Sequence, residues 1–179
     1  VKEGKNGRII FKMNSLVDKE MIEALYEAAQ SGVKIDLIVR GMCCLKSCME
    51  GISENIRVIS IVGRYLEHSR IYYFENGGNP KIYLSSADLM ERNLDWRIET
   101  LFPIEEQEIK EKIKKILELN IEDCIKSRVQ NVNGKYERID KRGKKNINAQ
   151  EIFYNSAKES YLKIVEDEKP FVLLKKVKN

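Results

Sequence analysis

Residues 8–39 read RIIFKMNSLVDKEMIEALYEAAQSGVKIDLIV, and this stretch decides the fold. Its first part is typical of a β-strand, and the nearly continuous apolar run at residues 34–39 predicts a second strand that is covered on both faces. Apolar side chains at helical spacing predict a helix over residues 19–30, with capping residues before it and Ser31-Gly32 at its end. A strand, a helix and a strand within about 30 residues predict parallel pairing, and hence an α/β domain.

A β-hairpin is predicted at residues 70–85. Two β-rich runs, RIYYFE and KIYLS, flank a segment whose Asn, Gly and Pro residues signal a turn. Pairing that is symmetric about the two glycines of this turn places Tyr72 opposite Tyr83, and Arg70 opposite Ser85. The residues just outside the two arms should then meet at the open end of the hairpin.

The open end of this hairpin carries the residues that indicate chemistry. His68 is the single histidine of the chain, and it precedes Arg70 by two residues, so that both side chains share one face of a strand. Arg40 follows the second predicted strand, and ligands of open α/β sheets bind outside the carboxyl ends of strands. Guanidinium groups beside an imidazole favour a phosphate ligand. Further polar side chains that could support such a site are Arg64, Ser86, Asp88, Arg92 and Asn93.

The rest of the chain is predicted to add four elements. These are a strand over residues 95–102 closed by Pro103, a helix over 104–124, a hairpin over 127–139 and a helix over 149–166. The first of these helices should turn four apolar residues inward, namely Ile109, Ile113, Ile116 and Leu117. We therefore expect one domain over residues 1–126, with a basic hairpin and a C-terminal helix (127–179) that pack on it.

Composition limits the function classes only weakly. The chain has 179 residues, 42% of them hydrophobic, and a net charge of +4, which permits an anionic partner without requiring one. No apolar run approaches the roughly 20 residues of a membrane span. Four cysteines without metal-hook spacing indicate reduced thiols, and we expect a cytoplasmic protein. Because residue 1 is Val rather than Met, we expect the chain to be a piece of a longer protein.

The residues at the open end resemble a known half-site. His68-x-Arg70 followed by Ser86-x-Asp88 is similar to the half-site of the phospholipase D superfamily, in which His-x-Lys is followed on the paired strand by Ser-x-Asn. Arg in place of Lys, and Asp in place of Asn, match one branch of that superfamily. Longer strings agree with that branch: IVRGMCCL at 38–45, SENIRV at 53–58, SIVGRYLEHSR at 60–70 and SSADLMERNLD at 85–95. Over most of its length the chain resembles the C-terminal catalytic region of polyphosphate kinases.

This resemblance implies a fold, a reaction and a division of roles. The fold would be a phospholipase D-like mixed sheet flanked by helices, with a helical C-terminal extension. The reaction would be reversible transfer of the terminal phosphate of ATP to polyphosphate, through a phosphohistidine on a preceding domain. Arg40 would bind nucleotide phosphate, His68 would be the second histidine that faces the phosphates, and Arg70 would bind phosphate beside it. Mg²⁺ would be held by the preceding domain, and we assign no metal to residues of this chain.

The expected partners follow from the same resemblance. They are ATP or ADP, polyphosphate, the preceding domains of the same polypeptide and other copies in a homo-oligomer. We expect no nucleic acid partner, whereas peripheral membrane association is left open. On its own the chain should be inactive, because the phosphorylated histidine would lie elsewhere.

Two alternative functions remain at this point. A phospholipase D-like phosphodiesterase would need a self-paired dimer in which two copies of His68 face each other, and Arg70 and Asp88 count against it. A non-catalytic polyanion-binding module would use the same residues without turnover.

Overall fold

The fold is described by a computed structural model that covers residues 7–143 and 145–167. In chain order its elements are β1 (Arg8–Met13), α1 (Lys19–Gln30), β2 (Lys34–Val39), β3 (Ile56–Ile61), β4 (Arg70–Phe74), β5 (Lys81–Ser85), α2 (Glu91–Leu94), β6 (Leu101–Ile104), α3 (Gln107–Glu122), β7 (Ser127–Gln130), β8 (Tyr136–Arg138) and α4 (Ala149–Asp167). The predicted first strand is confirmed, and so are the predicted bounds of α1 and β2.

The described strands form one eight-stranded sheet with the order β6-β5-β4-β1-β2-β3-β7-β8. β1, β2 and β3 are parallel, as the β1-α1-β2 pattern predicts, and all other neighbours are antiparallel. The mixed sheet confirms the predicted fold class. Residues 127–138 extend this sheet through the pairing of β7 with β3, whereas residues 168–179 of the predicted C-terminal unit lie outside the described residues.

The β4–β5 hairpin has the register that the turn predicts. Tyr72 lies opposite Tyr83 and Arg70 opposite Ser85. The turn needs its glycines, because Gly77 and Gly78 have φ values of +63° and +93°, a region that side chains with a Cβ rarely adopt.

The prediction of a strand over residues 95–102 is wrong. The strand in this region runs from Leu101 to Ile104 and contains Pro103, which lies opposite Tyr83. Proline is tolerated here because β6 is the outermost strand and its missing N–H leaves no inner ladder bond unmade. Ile104 still pairs with β5, so α3 starts later than predicted, and Ile109 in its first turn is exposed rather than inward.

Two apolar layers fix the sheet from both sides. Leu25 and Ala29 of α1 pack on one face, and Ile113 and Leu117 of α3 on the other. The central strand β2 is buried on both faces from residue 35 to residue 39, as its apolar run predicts. This rigid centre holds the strand ends that carry the polar residues.

Candidate functional site

Several strand ends meet at one edge of the sheet. The carboxyl ends of the parallel strands β1, β2 and β3 lie there, together with the start of β4 and the end of β5, because β4 is antiparallel to β1 and to β5. Backbone hydrogen bonds connect the segments that follow these strands: Gly41 N donates to Asn14 O at 2.7 Å, and Leu89 N donates to Ser15 O at 3.2 Å. Gly41 allows this approach, since a Cβ there would lie 2.9 Å from Asn14 O.

Arg70 and Asp88 form an ion pair across the open end of the hairpin. Arg70 donates from Nε and Nη2 to the two oxygens of Asp88 at 3.2 and 3.1 Å, and its Nη1 donates to the carbonyl of His68 at 3.0 Å. The Asp88 carboxylate also accepts from the backbone N–H groups of Asn14 and Ser15. This pair therefore ties the end of β1, the backbone at residue 68 and the segment after β5 together.

The ionised form of Asp88 is favoured in this setting. Burial of the carboxyl alone would raise its pKa, but the hydrogen bonds from Arg70 and Asn14 outweigh burial, and the pKa lies below its usual value. Asp88 is therefore a charged acceptor at neutral pH.

The segment of residues 62–69, which carries His68, is held by the first turn of α4. The Gln150 amide accepts from Tyr65 N at 3.0 Å and donates to Tyr65 O at 2.9 Å and to the Glu67 carboxylate at 2.8 Å. A Cβ on Gly63 would overlap this amide, so a glycine is needed there. Gln150 is buried, and its contacts join parts of the chain more than 80 residues apart.

A buried lysine completes this support. Lys12 is 5% exposed, and its ammonium group lies 3.0 Å from the Glu67 carboxylate and donates to the Ser69 hydroxyl at 3.1 Å. The two residues on either side of His68 are thus both held by Lys12, which extends from the core strand β1. His68 itself stands between two fixed neighbours.

Arg40 and His68 are two of the predicted residues whose side chains have no hydrogen-bond or ion-pair partner among the described residues. Arg40 follows β2, and its Nη1 is buried without a hydrogen-bond partner among the described residues. The His68 side chain is exposed and likewise makes no hydrogen bond within the described part of the chain. Buried donors of native proteins nearly always have partners, so an unpaired guanidinium nitrogen marks a place where an anion fits.

The remaining predicted residues have other surroundings. Arg64 is exposed and lies over the ring of Tyr65, at 5.6 Å from its centre. Ser86 and Asn93 both donate to the carboxylate of Glu99, and these bonds hold the pKa of that carboxyl below its usual value. Arg92 is exposed on α2.

Sequence reasoning missed Lys12, Glu67 and Gln150. Lys12 did carry a signal, because a lysine within the apolar run of β1 needs a buried partner. Gln150 carried none, since nothing local relates the start of the last helix to a segment about 85 residues earlier.

Metal and membrane features can be stated for the described residues only. Residues 7–143 and 145–167 contain no cluster of three or more His, Cys, Asp or Glu side chains that could hold a metal ion. No helix in the same ranges is long and apolar enough to cross a membrane.

One cavity within the described residues is not lined by Arg40. It has a volume of about 1180 Å³ and runs along the face of β1, β4 and β5 that α1 leaves uncovered. Its floor is aromatic, with Phe11, Tyr72, Phe74 and Tyr83 in edge-to-face contacts. Such an apolar floor does not suit phosphate.

Comparison with known proteins decides the family. The model of the family "Polyphosphate kinase C-terminal domain 2" matches residues 1–150. The chain belongs to the polyphosphate kinase C-terminal domain 2 family. The polyphosphate kinase of Bacillus anthracis is 56% identical over 145 residues, which are 81% of this chain and 21% of that protein. The chain thus spans about a fifth of the length of such relatives.

Solved structures agree with this family and with the fold. The crystal structure of polyphosphate kinase from Porphyromonas gingivalis superposes with a TM-score of 0.85 at 42% identity, over 90% of this chain and 25% of that one. Nuc from Salmonella typhimurium, a phospholipase D family member, gives a TM-score of 0.53 at 12% identity, over 76% of this chain and 85% of that one. The latter likeness shows the fold alone, and it confirms the phospholipase D-like architecture of this polyphosphate kinase domain.

Proposed function

We propose that the chain supplies the second half of the phosphoryl-transfer site of an ATP:polyphosphate phosphotransferase. Arg40 binds a nucleotide phosphate, and His68 faces the phosphoryl group that is transferred. One observation carries this proposal: at a single edge of the sheet, a buried Arg40 nitrogen and an exposed His68 imidazole have no protein partner among the described residues. The nearby charged groups of Lys12 and Glu67, and those of Arg70 and Asp88, form ion pairs with each other.

The contacts give Arg70 a positioning role in addition to the phosphate binding that is expected of its guanidinium group. Each nitrogen of its guanidinium group already donates, to Asp88 or to the carbonyl of His68. Arg70 therefore positions His68 through the backbone. Lys12, Glu67 and Gln150 are positioning residues of the same kind.

In the proposed chemistry, residues of this chain bind the phosphates, whereas a histidine of the preceding domain accepts the phosphoryl group. The bond between the terminal phosphorus of ATP and its bridging oxygen breaks, and ADP leaves. The phosphoryl group passes to a histidine nitrogen of the preceding domain and then to the terminal oxygen of polyphosphate. Arg40 compensates the charge that grows on the leaving phosphate, and His68 donates a hydrogen bond to the phosphoryl oxygens.

The single histidine makes the test direct. In the 179-residue chain, imidazole NMR signals can come only from His68, so addition of ATP or orthophosphate should shift them. Arg40→Met should weaken this response about tenfold or more, since a charge-assisted hydrogen bond contributes about 1.5–3 kcal/mol. Lys112→Gln, on the exposed side of α3, removes the same charge elsewhere and should leave the response unchanged.

Two outcomes would contradict the assignment. Acid-labile phosphate on His68 after incubation with labelled ATP would make it the phosphorylated histidine and reverse the roles. Hydrolysis of a simple phosphate diester by the chain, with no response to ATP, would favour a phosphodiesterase instead.

A further inference from the structure

A second, basic cavity lies beside the strand-end edge. It has a volume of about 490 Å³ and is formed by the end of β3, the start of β7 and strand β8. Among the described residues that line it, three are cations, namely Lys126, Arg128 and Arg138, and none is Asp or Glu. A concave surface with one sign of charge concentrates ions of the opposite sign.

The two arginines of this cavity stand in an unfavourable arrangement. Arg128 on β7 lies directly opposite Arg138 on β8, and side chains in such a pair are about 4.5–5.5 Å apart at Cβ. Like charges at this distance destabilise the strand pair. Within the described residues, neither arginine has a carboxylate partner: Glu137 is bound by Asn131, and Arg142 binds Asp140. Both side chains are exposed to solvent, and an anion between the two guanidinium groups would relieve their repulsion.

The cavity is connected to the proposed phosphoryl-transfer site. Ser60, which lines it, lies opposite Arg128 on β3 and donates to the carbonyl of Arg40 at 3.4 Å. Val62, which also lines it, begins the segment that carries His68. The basic cavity therefore lies next to both unpaired residues, along the same edge of the sheet.

We propose that this cavity binds a stretch of inorganic polyphosphate, beyond the phosphates that Arg40 and His68 contact. The proposal rests on the proposed function, because it extends that site. A repeating chain of phosphates can contact several cations in succession, which a single phosphate cannot. The lining residues that the structure describes include no aromatic side chain, so they offer nucleic acid bases no stacking surface.

The test measures binding of a long-chain inorganic polyphosphate to the 179-residue chain as a function of salt. Arg128→Gln/Arg138→Gln should lower the affinity about tenfold to a hundredfold, and should reduce the slope of log K against log salt by about 1.5, as release of fewer counterions requires. The matched control is Lys112→Gln/Lys115→Gln, which removes the same charge from exposed positions on α3 and should retain the parent affinity.

A charge reversal separates binding from folding. Arg138→Glu creates an opposite-charge pair with Arg128, so its thermal midpoint should be equal to or above that of the parent, while polyphosphate affinity falls. Unchanged affinity in either variant, or an equal loss in the α3 control, would overturn the proposal. So would a single-stranded oligonucleotide that competes as well as polyphosphate of equal charge.

The outcomes also distinguish this site from the proposed function. The response of the His68 signals to orthophosphate depends on Arg40 and should persist in Arg128→Gln/Arg138→Gln. Loss of polyphosphate affinity with a retained His68 response supports both sites. A retained His68 response with unchanged polyphosphate affinity rejects the basic cavity alone.

Discussion

Arg70 at the start of β4 and Asp88 in the segment after β5 meet through two hydrogen bonds of 3.2 and 3.1 Å. They are the two positions at which the chain differs from the His-x-Lys and Ser-x-Asn pattern of the phospholipase D superfamily. Since the guanidinium fork matches a carboxylate and not an amide, the two differences constitute a single structural change. The pair holds the open end of the hairpin together and fixes the position of the His68 backbone.

The pH dependence of stability should report this pair. The pKa of Asp88 is lower in the folded chain than the usual value of about 3.9, so its contribution is fully present above about pH 5 and is lost as the pH falls through the folded pKa. Asp88→Asn should lower the free energy of unfolding by about 2–4 kcal/mol at pH 7, because Arg70 loses its charged partner. The difference in the free energy of unfolding between this variant and the parent, measured by urea unfolding, should become smaller as the pH is lowered towards 3.

Asp18→Asn provides the control for that experiment. Asp18 caps α1 by accepting from Met21 N, and asparagine caps equally well, so little change is expected. If Asp88→Asn lowers the free energy of unfolding by the same amount at pH 7 and at pH 3, the carboxylate charge is not what stabilises the open end of the hairpin.

A double-mutant cycle can test whether Arg70 and Asp88 act as one unit. Arg70→Lys and Asp88→Asn together restore the residue types of the superfamily pattern. We expect the double variant to be more stable than the two single losses predict, by about 1–3 kcal/mol, because the partners contact each other directly. Additive losses in equilibrium unfolding would contradict the coupling.

His68→Ala should separate function from stability. The side chain is exposed and makes no hydrogen bond within the described residues, so the thermal midpoint should change little. In a full-length polyphosphate kinase with this domain, turnover should fall about 10²–10³-fold, the usual effect of removing one donor to developing charge. Turnover and midpoint are measured on one preparation. A lowered midpoint with the parent turnover would show that His68 is structural.

Gln150→Leu should release the segment that carries His68. It removes three hydrogen bonds to Tyr65 and Glu67, each contributing about 1 kcal/mol. Hydrogen exchange at the Tyr65 amide should become at least tenfold faster, and the His68 NMR signals should broaden or shift without any ligand. Glu151→Gln, one residue on and exposed, is the control. If the Tyr65 amide exchanges as fast in Glu151→Gln as in Gln150→Leu, the Gln150 side chain is not what holds this segment.

The sequence by itself determined the local elements and much of their pairing. The β1-α1-β2 unit and the hairpin register follow from apolar periodicity, turn residues and the rule for parallel strands. These features are readable because each depends on residues close together along the chain. The resemblance to polyphosphate kinases lies in short strings of the same kind.

Only the tertiary structure decided how the site is supported. The contacts of Gln150 with Tyr65, and of Lys12 with Glu67, join residues separated by 85 and 55 positions, and no local pattern encodes such pairs. The same is true of the start of β6, which is set by pairing with β5, and of Arg70, whose guanidinium group is taken up by Asp88. Periodicity specifies which face a side chain occupies, whereas its partner depends on how distant elements pack.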